Sequence, residues 1–387
     1  MRVLLISANT ETINMPTLPI GLGCVAAALE EAGHAVRFLD LMAVGSWRPL
    51  LEDALADPAP EIIGISIRNI DDQDSANPRF LLEEARSVVA HCKANTHVPV
   101  VLGGAGYSIF PESVLDYTGA DLGIQGEGEA AFVMLLERLA AGKALDDVPG
   151  LYIRGRGLQA PRIFERPLDR LPLPAPDLFD ARLADNPSYF LPVQTRRGCP
   201  LRCSYCSTPA IEGALIRQRS AKAVVASLAQ WRAAGFRRIF FVDNVFNLPE
   251  GYARALCDRI TAARLDIEWR GIIYPGRVSE TLVRALARAG CRDVSLGFES
   301  GFQPILDAMH KRFSLDDVRK TARLLAAHGI GRMGFLLLGG PGETRETAVQ
   351  SLAFADSLEL ETVKLTVGLR IYPDTALART AVRDGVI

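Results

Sequence analysis

Short apolar runs alternate with helical patterns along two separate stretches of the 387-residue chain. Such alternation is typical of parallel strands joined by crossover helices, and it places the chain in the α/β class. Between the two stretches, in residues 151–188, the alternation stops and prolines recur. A proline-rich connector of this kind is semi-rigid and marks a domain boundary. The sequence therefore predicts two domains, residues 1–150 and residues 189–387.

The first domain is predicted to contain a parallel sheet. Its candidate strands are Val3–Ser7, Ala35–Leu39, Ile62–Ile67, Val100–Leu102 and Leu122–Ile124. With helices at about 20–32, 78–94 and 129–141, the pattern favours a flavodoxin-like, Rossmann-type open sheet. Ligands of such sheets bind beyond the carboxyl ends of the strands. The loops to inspect are polar and glycine-rich, namely Asn9–Gly21, Arg68–Asp74, Gly103–Ile109 and Gln125–Glu129.

A dinucleotide site is one alternative for this domain. Gly21, Gly23 and Ala26 satisfy the G-x-G-x-x-A pattern, and Asp40 follows at nearly the usual distance. In that fingerprint, however, the first glycine ends the strand itself, so that the turn delivers the pyrophosphate to the helix N-terminus. Here residues 8–20 intervene and include two prolines. We therefore interpret the two glycines as positions of close helix–sheet packing.

Three cysteines, Cys199, Cys203 and Cys206, lie in one short loop with C-x3-C-x2-C spacing. Cysteine thiolates hold iron–sulfur clusters, and a [4Fe–4S] cube has four irons to ligate. Three cysteines without a fourth leave one iron for an exogenous ligand. A structural zinc site is the alternative, but it needs a fourth Cys or His at short spacing, and none follows Cys206. The other cysteines are scattered in apolar contexts, which argues against a disulfide framework.

The second domain is predicted to repeat a βα unit. Its strands lie near Leu191–Thr195, Arg238–Val242, Glu268–Ile273, Asp293–Gly297, Arg332–Leu338 and Val363–Gly368. Six such units favour a partial (β/α)6 TIM-like barrel, in which functional residues sit at the C-terminal ends of the strands. The three-cysteine loop follows the first of these strands.

The second domain resembles the radical SAM superfamily over its whole length. In that family a cysteine triad ligates three irons of a [4Fe–4S] cluster and S-adenosylmethionine (SAM) chelates the fourth. The resemblance implies that Cys199, Cys203 and Cys206 are the cluster ligands. It also implies SAM contacts from residues that follow the strands, namely Tyr205, Asp243, Asn244, Glu299, Ser300, Gly339 and Gly340.

Several of these SAM contacts have a structural alternative. Tyr205 would pack near the adenine, or would be a core ring that anchors the loop. Asp243 and Asn244 stand where many relatives have Gly-Gly-Glu and would bind the methionine ammonium, or would cap a helix. The glycines of Gly339–Gly342 would let the backbone approach SAM, or would serve only a tight turn.

The first domain resembles the cobalamin-binding domain that precedes many radical SAM domains. The motifs are Leu18-Pro19-Ile20-Gly21-Leu22, Glu31-Ala32-Gly33-His34-Ala35-Val36, Gly103-Gly104, Phe110-Pro111-Glu112 and Gly126-Glu127-Gly128-Glu129. With the strand-end loops, the resemblance implies cobalamin contacts from Leu18, Pro19, Arg68, Asn69, Gly103, Gly104, Gln125, Gly126 and Glu127. For Glu127 the alternative is a helix-start charge favoured by the macrodipole.

Two departures from the cobalamin-domain pattern are visible. The sequence has no Asp-x-His-x-x-Gly motif, which implies cobalt without a protein histidine ligand. Gly104 is followed by Ala105-Gly106-Tyr107, where relatives often carry Pro-His.

Together the two resemblances imply a cobalamin-dependent radical SAM enzyme. The leading hypothesis is a methyltransferase that methylates an unactivated sp3 carbon, using a 5′-deoxyadenosyl radical and methylcobalamin. The second is cyclisation, ring rearrangement or oxidation with the same cofactors. A hypothesis of another class is a non-catalytic iron–sulfur or zinc protein. No residue is assigned a catalytic role.

Charge and hydropathy limit the partners. A net charge of −2 provides no basic surface for nucleic acid and no polybasic membrane patch. We expect a small-molecule or natural-product substrate and an external electron donor such as flavodoxin or ferredoxin. No apolar run approaches the length of a membrane span, and the N-terminal run is too short for a signal peptide. The expected location is the cytoplasm.

Overall fold

The computed structural model describes residues 1–10, 17–43, 46–72, 74 and 77–387. It contains two compact units. The first comprises residues 1–180 with 210–212, and the second comprises residues 181–209 with 213–387. Among the described helices, none is long and apolar enough to cross a membrane.

A seven-stranded sheet forms the centre of the first unit. Its strands are β1 (Arg2–Ser7), β2 (Ala35–Asp40), β3 (Ile62–Ser66), β4 (Val100–Gly103), β5 (Leu122–Ile124), β6 (Leu151–Ile153) and β7 (Gly157–Leu158). Their order is β2-β1-β3-β4-β5-β6-β7, with the first five parallel and the last two antiparallel. The predicted flavodoxin-like sheet is confirmed. The β6–β7 hairpin comes from residues 151–158, the start of the predicted linker, where strands this short carry no readable periodicity.

Helices cover both faces of this sheet. They are α1 (Ile20–Glu31), α2 (Arg48–Ala56), α3 (Leu82–Asn95), α4 (Ala105–Ile109), α5 (Pro111–Thr118) and α6 (Gly128–Ala140). On β1, Leu4 and Ile6 belong to the core cluster beneath α2, α3 and α5, whereas Val3 and Leu5 belong to the cluster beneath α1 and α6. Alternate residues of a parallel strand are thus buried on opposite faces, which is why the strand reads as a continuous apolar run.

The two glycines of the dinucleotide-like pattern differ in their surroundings. A Cβ on Gly23 would lie 3.0 Å from the Phe179 ring and 3.2 Å from Pro174, whereas one on Gly21 would meet nothing within 4 Å. Gly23 therefore permits close packing, but against residues of the proline-rich segment. The interpretation of both glycines as helix–sheet contacts was wrong.

The second unit is built on a six-stranded parallel sheet and a two-stranded ribbon. Its strands are β8 (Leu191–Val193), β9 (Arg196–Arg197), β10 (Arg217–Gln218), β11 (Arg238–Phe241), β12 (Glu268–Ile273), β13 (Cys291–Glu299), β14 (Gly331–Leu338) and β15 (Thr362–Val367). The large sheet has the order β15-β14-β13-β12-β11-β8, and β9 pairs with β10. Sequential parallel order is the order of a (β/α) barrel, so the predicted partial barrel is confirmed.

Helices follow the strands in this part of the chain. They are α7 (Thr208–Glu212), α8 (Ala221–Ala233), α9 (Glu250–Ala263), α10 (Glu280–Arg288), α11 (Gln303–Ala308), α12 (Leu315–Ala327), α13 (Arg345–Ser357) and α14 (Ala376–Arg383). In β13, Val294, Leu296 and Phe298 are fully buried, and Phe298 makes an edge contact with Phe354 of α13. The intervening residues, ending with Glu299, lie on the other face and are partly exposed. The fold thereby places Glu299 on the inner face, at the C-terminal end of a strand.

Candidate active site

The three-cysteine loop connects β9 to α7 and is fixed by its own backbone. The amide of Cys199 donates to the carbonyl of Gly213 over 3.1 Å, and the amide of Cys206 donates to the carbonyl of Cys203 over 3.2 Å. Gly198 has a φ of 86°, and a Cβ there would lie 2.2 Å from the carbonyl oxygen of Leu215. Only glycine fits that position, so the backbone that precedes Cys199 has one defined conformation.

The start of the loop is tied to the end of β11 by Asp243, which has no exposed surface. Its Oδ1 accepts hydrogen bonds from the amides of Thr195 (2.7 Å) and Arg196 (3.0 Å), and its Oδ2 accepts one from the Thr195 hydroxyl (2.6 Å). The guanidinium Nε of Arg196, itself buried, lies 3.2 Å from Oδ2. A carboxylate bonded in this way holds two neighbouring strand ends together.

This burial corrects two of the expected SAM contacts. Asp243 has both oxygens bonded within the protein and offers none to a ligand; nor does it cap a helix, because α9 begins at Glu250 after Pro249. Ser300 is also fully buried, and its hydroxyl bonds with Ser351 at 3.0 Å. Asn244 is partly exposed and accepts from the Thr208 hydroxyl at 3.3 Å. Its contact with the SAM ammonium stays a prediction.

A buried ion pair lies beside the cysteine loop. Lys311 Nζ is 3.1 Å from Glu299 Oε1, and the two side chains are 6% and 13% exposed. The same ammonium is 5.4 Å from the centre of the Tyr205 ring. Burial alone would lower the pKa of Lys311, but the negative charge of Glu299 raises it well above its ordinary value. Sequence reasoning named Tyr205 and Glu299, whose SAM contacts stay predictions, but it missed Lys311, which belongs to no recognisable motif.

The positive charge of Lys311 also acts on thiols of the cysteine loop. Burial raises the pKa of Cys199 to about 11 and raises that of Cys203, while the charge of Lys311 opposes both shifts. Because metals bind thiolates, assembly of a cluster here releases protons.

The glycine turn after β14 packs against the same region. The carboxylate of Glu343 accepts hydrogen bonds from the amides of Gly339 and Gly340. A Cβ on Gly340 would lie 2.6 Å from the Met309 methyl group, and the Met309 carbonyl accepts the amide of Ser204 in the cysteine loop over 3.0 Å. Gly340 thus packs closely against the end of the Met309 side chain. Direct approach of this backbone to SAM stays a prediction.

In the first unit, a crevice lies at the carboxyl ends of β1 and β3. It is lined by Ala8, Asn9, Thr10, Ile67, Arg68, Asn69, Leu81 and Ala85. In the strand order, β2 follows β1 on one side of the crevice and β4 follows β3 on the other. The crevice is therefore at the topological switch point of the sheet. The Asn9 side chain is 7% exposed, and its Nδ2 has no hydrogen-bond partner among the residues that the structure describes. A buried unbonded donor fits a polar ligand group.

The loops after β3, β4 and β5 converge next to this crevice. The buried hydroxyl of Ser108 donates to the Gly104 carbonyl (2.8 Å) and accepts the Gly126 amide (3.0 Å). The Ser108 carbonyl accepts the side-chain amide of Gln125 at 3.0 Å. Gly104 has a φ of 97°, and a Cβ there would lie 2.5 Å from the carbonyl oxygen of Ile67. The structure therefore brings most of the predicted cobalamin residues to one edge.

The remaining predicted cobalamin residues are less exposed to a ligand. Leu18 is a core side chain at 3% exposure, and Pro19 precedes the first residue of α1. Glu127 accepts the backbone amide of Glu165 at 3.0 Å. The predicted cobalamin contact of the Leu18 side chain was therefore wrong, because that side chain is packed inside the unit. Residues 11–16 of loop Asn9–Gly21 and residue 73 of loop Arg68–Asp74 lie outside the described residues.

Two family models match the two units. Residues 6–136 match the B12 binding domain, and residues 193–355 match the radical SAM superfamily. The second match contains the cysteine loop, and the first contains the crevice. This chain belongs to the cobalamin-dependent radical SAM enzymes. The family prediction is confirmed, and so are its cofactors: a [4Fe–4S] cluster, SAM and cobalamin.

Two relatives of this radical SAM enzyme are named for the methylation of carbon. The tryptophan 2-C-methyltransferase of Streptomyces laurentii is 26% identical over 98% of this chain and 74% of that protein. The hopanoid C-3 methylase of Methylococcus capsulatus is 32% identical over 85% of this chain and 62% of that protein. The radical SAM methyltransferase TsrM of Kitasatospora setae, solved with tryptophan and a SAM analogue, superposes with a TM-score of 0.90. It is 25% identical, with 99% of this chain and 76% of TsrM covered, and it was also solved with cobalamin and a [4Fe–4S] cluster.

The cysteine loop of this radical SAM enzyme fits a cluster better than a zinc ion. In the described part of the chain, no group of three or more His, Cys, Asp or Glu side chains is arranged to hold a metal ion. Zinc gathers its ligands around one centre, whereas a [4Fe–4S] cube receives each thiolate on a different iron. Cys203 and Cys206 are partly exposed, and Cys199 is buried. The match of residues 193–355 to the radical SAM superfamily favours the cluster over the zinc alternative.

Replacing Ser108 by alanine tests the loop junction. We expect Ser108→Ala to lower the free energy of unfolding of the first unit by about 1–3 kcal/mol, because the Gly126 amide loses its acceptor. Corrinoid affinity should fall as well, while iron content stays unchanged. Urea denaturation and titration with hydroxocobalamin measure the two effects. Ser87→Ala, which removes an exposed hydroxyl bonded to Glu83, is the control and should change neither.

Proposed function

We propose that this enzyme transfers a methyl group to an sp3 carbon of a small-molecule substrate. The observation that carries the proposal is the presence, in one chain, of an anchored three-cysteine loop and a switch-point crevice with an unbonded buried donor. When bound, the cluster and SAM supply a radical that abstracts hydrogen, and cobalamin supplies the methyl group. Carbon is the acceptor in the names of both relatives described above.

The residues of this chain would position those groups rather than react themselves. Cys199, Cys203 and Cys206 would hold the cluster, and the Asp243–Arg196 pair fixes the strand end from which their loop departs. In the first unit, Asn9 would donate a hydrogen bond to a polar group of cobalamin. Enzymes of this kind leave the difficult chemistry to the cofactors and use the protein for orientation and exclusion of water.

The acceptor is tested through product mass. Purified enzyme, reconstituted anaerobically with iron, sulfide and hydroxocobalamin, is incubated with dithionite, SAM deuterated in its methyl group, and a panel of small metabolites that carry sp3 C–H acceptor positions. We expect a product that gains one labelled methyl group per turnover. A product that is cyclised or oxidised without the label would contradict methyl transfer and support the rearrangement hypothesis.

An external electron donor such as flavodoxin or ferredoxin is part of this proposal. The four cysteines outside the loop, Cys24, Cys92, Cys257 and Cys291, are all buried and scattered, so they supply no second cluster to relay electrons. A cytoplasmic location for the reaction is also part of this proposal. A reduced flavodoxin system should sustain SAM cleavage without dithionite; failure of several such donors would contradict this part.

A further inference from the structure

Lys311 is the structural feature that the proposed reaction does not yet use. Its ammonium is 3.1 Å from Glu299 Oε1, its side chain is 6% exposed, and it lies 5.4 Å from the centre of the Tyr205 ring. Tyr205 sits in the loop between Cys203 and Cys206. A positive and a negative charge are therefore both buried next to the loop that holds the cluster.

The position of this lysine is set by the backbone on each side of it. The Met309 carbonyl accepts the amide of Ser204, within the cysteine loop, at 3.0 Å. The amide of Arg312 donates to the Tyr274 hydroxyl at 2.8 Å, and Tyr274 is buried at the end of β12. An ordinary surface lysine samples many rotamers, but Lys311 belongs to a segment whose backbone is hydrogen-bonded directly to the cysteine loop. The charge is consequently held at a fixed place relative to the thiolates.

A fixed buried charge changes how easily a neighbouring cluster accepts an electron. Reduction adds one electron to the cluster without forming or breaking a bond in the protein, so the reduced form carries one more negative charge. Net charge, hydrogen bonding and burial around the cluster set its potential. In the weakly screened interior, a cation stabilises the reduced form and an anion destabilises it.

We propose that Lys311 and Glu299 are positioning residues that tune the reduction potential of the [4Fe–4S] cluster in opposite directions. Lys311 favours the reduced cluster, and Glu299 offsets part of that effect. The inference rests on the cluster in the proposed function, and it predicts a behaviour that a merely structural ion pair lacks. Loss of a structural pair lowers stability whichever partner is removed, whereas loss of a tuning pair moves the potential with opposite signs.

The test is a redox titration of the full-length reconstituted enzyme without SAM, in which dithionite supplies the electron and electron paramagnetic resonance reports the reduced cluster. Lys311→Met should shift the ratio of reduced to oxidised cluster at least tenfold towards the oxidised form. For a one-electron couple, that shift corresponds to a reduction potential about 59 mV more negative. Glu299→Gln should shift the potential to a more positive value. The double variant should lie near the wild type, and Lys311→Arg should keep the wild-type potential.

Iron content, measured on every sample, separates this inference from the proposed function. Wild-type chain that binds no iron after reconstitution would overturn the proposed function and the tuning role with it. Clusters that assemble in all variants with unchanged potentials, or with shifts of the same sign, would overturn the tuning role alone. If Lys311→Met loses its cluster, Glu299→Gln decides: a more positive potential supports the role, and any other result overturns it. Lys320→Met removes an exposed lysine of α12 and should leave the potential unchanged.

Discussion

Replacing Cys199, Cys203 and Cys206 together by alanine is expected to abolish iron binding and SAM cleavage while leaving corrinoid binding unchanged. The three thiols are the proposed cluster ligands, and alanine offers no ligand in their place. The crevice with Asn9 belongs to the first unit, whose core clusters contain no residue of the cysteine loop. Iron analysis, the amount of 5′-deoxyadenosine formed from SAM, and titration with hydroxocobalamin measure the three properties.

The control is Cys257→Ala, in the same unit but buried within α9 and remote in sequence from the loop. It should retain the full iron content and SAM cleavage, at a modest cost in stability. Loss of corrinoid binding in the triple variant would mean that the two units do not bind their cofactors independently. Retention of iron by the triple variant would mean that the cluster has ligands elsewhere in the chain.

The strands were predictable because most of them are buried on one or both faces. β1 was expected at Val3–Ser7 and runs over Arg2–Ser7, since its apolar residues alternate between two cores. β13 was expected at Asp293–Gly297 but extends from Cys291 to Glu299. The last residue of β13, Glu299, is polar because it lies on the inner face of the sheet. In a sequence, a polar residue after an apolar run indicates the start of a loop.

The candidate site was predictable only where residue type and spacing carry the chemistry. Three cysteines in one loop predict a cluster site from local sequence alone. Asp243 was expected to bind a ligand because it follows a strand, but its carboxylate is bonded to Thr195, 48 residues earlier in the chain. Lys311 was missed for the same reason. Its proximity to the cysteine loop depends on the turn after α11, and no local pattern encodes that contact.

Removal of the Asp243 carboxylate is expected to be the most destabilising single substitution in the second unit among those considered above. Asp243→Ala leaves the Arg196 guanidinium, 2% exposed, without its counter-charge, and it leaves two backbone amides without an acceptor. Loss of one partner of a buried ion pair costs about 3–5 kcal/mol. The cysteine loop begins at this pair, so iron retention should fall together with stability.

Urea denaturation in a Trp47→Phe background isolates this effect, because the other two of the three tryptophans, Trp231 and Trp269, both lie in the second unit. Trp269 is fully buried and packs on Phe241 and Phe246, which flank Asp243 in the sequence. Its fluorescence therefore reports unfolding next to the substituted residue.

The matched control is Asp266→Ala, because Asp266 is 72% exposed and pairs with the surface arginines Arg232 and Arg237. An exposed ion pair of this kind contributes about 0–1 kcal/mol. Asp243→Asn should fall between the two, since the amide keeps one acceptor for the strand-end amides but loses the charge that Arg196 requires. Equal stabilities for Asp243→Ala and Asp266→Ala would show that the buried pair does not anchor the cysteine loop, and the loop geometry would then have to depend on the contacts of Gly198 and Met309 alone.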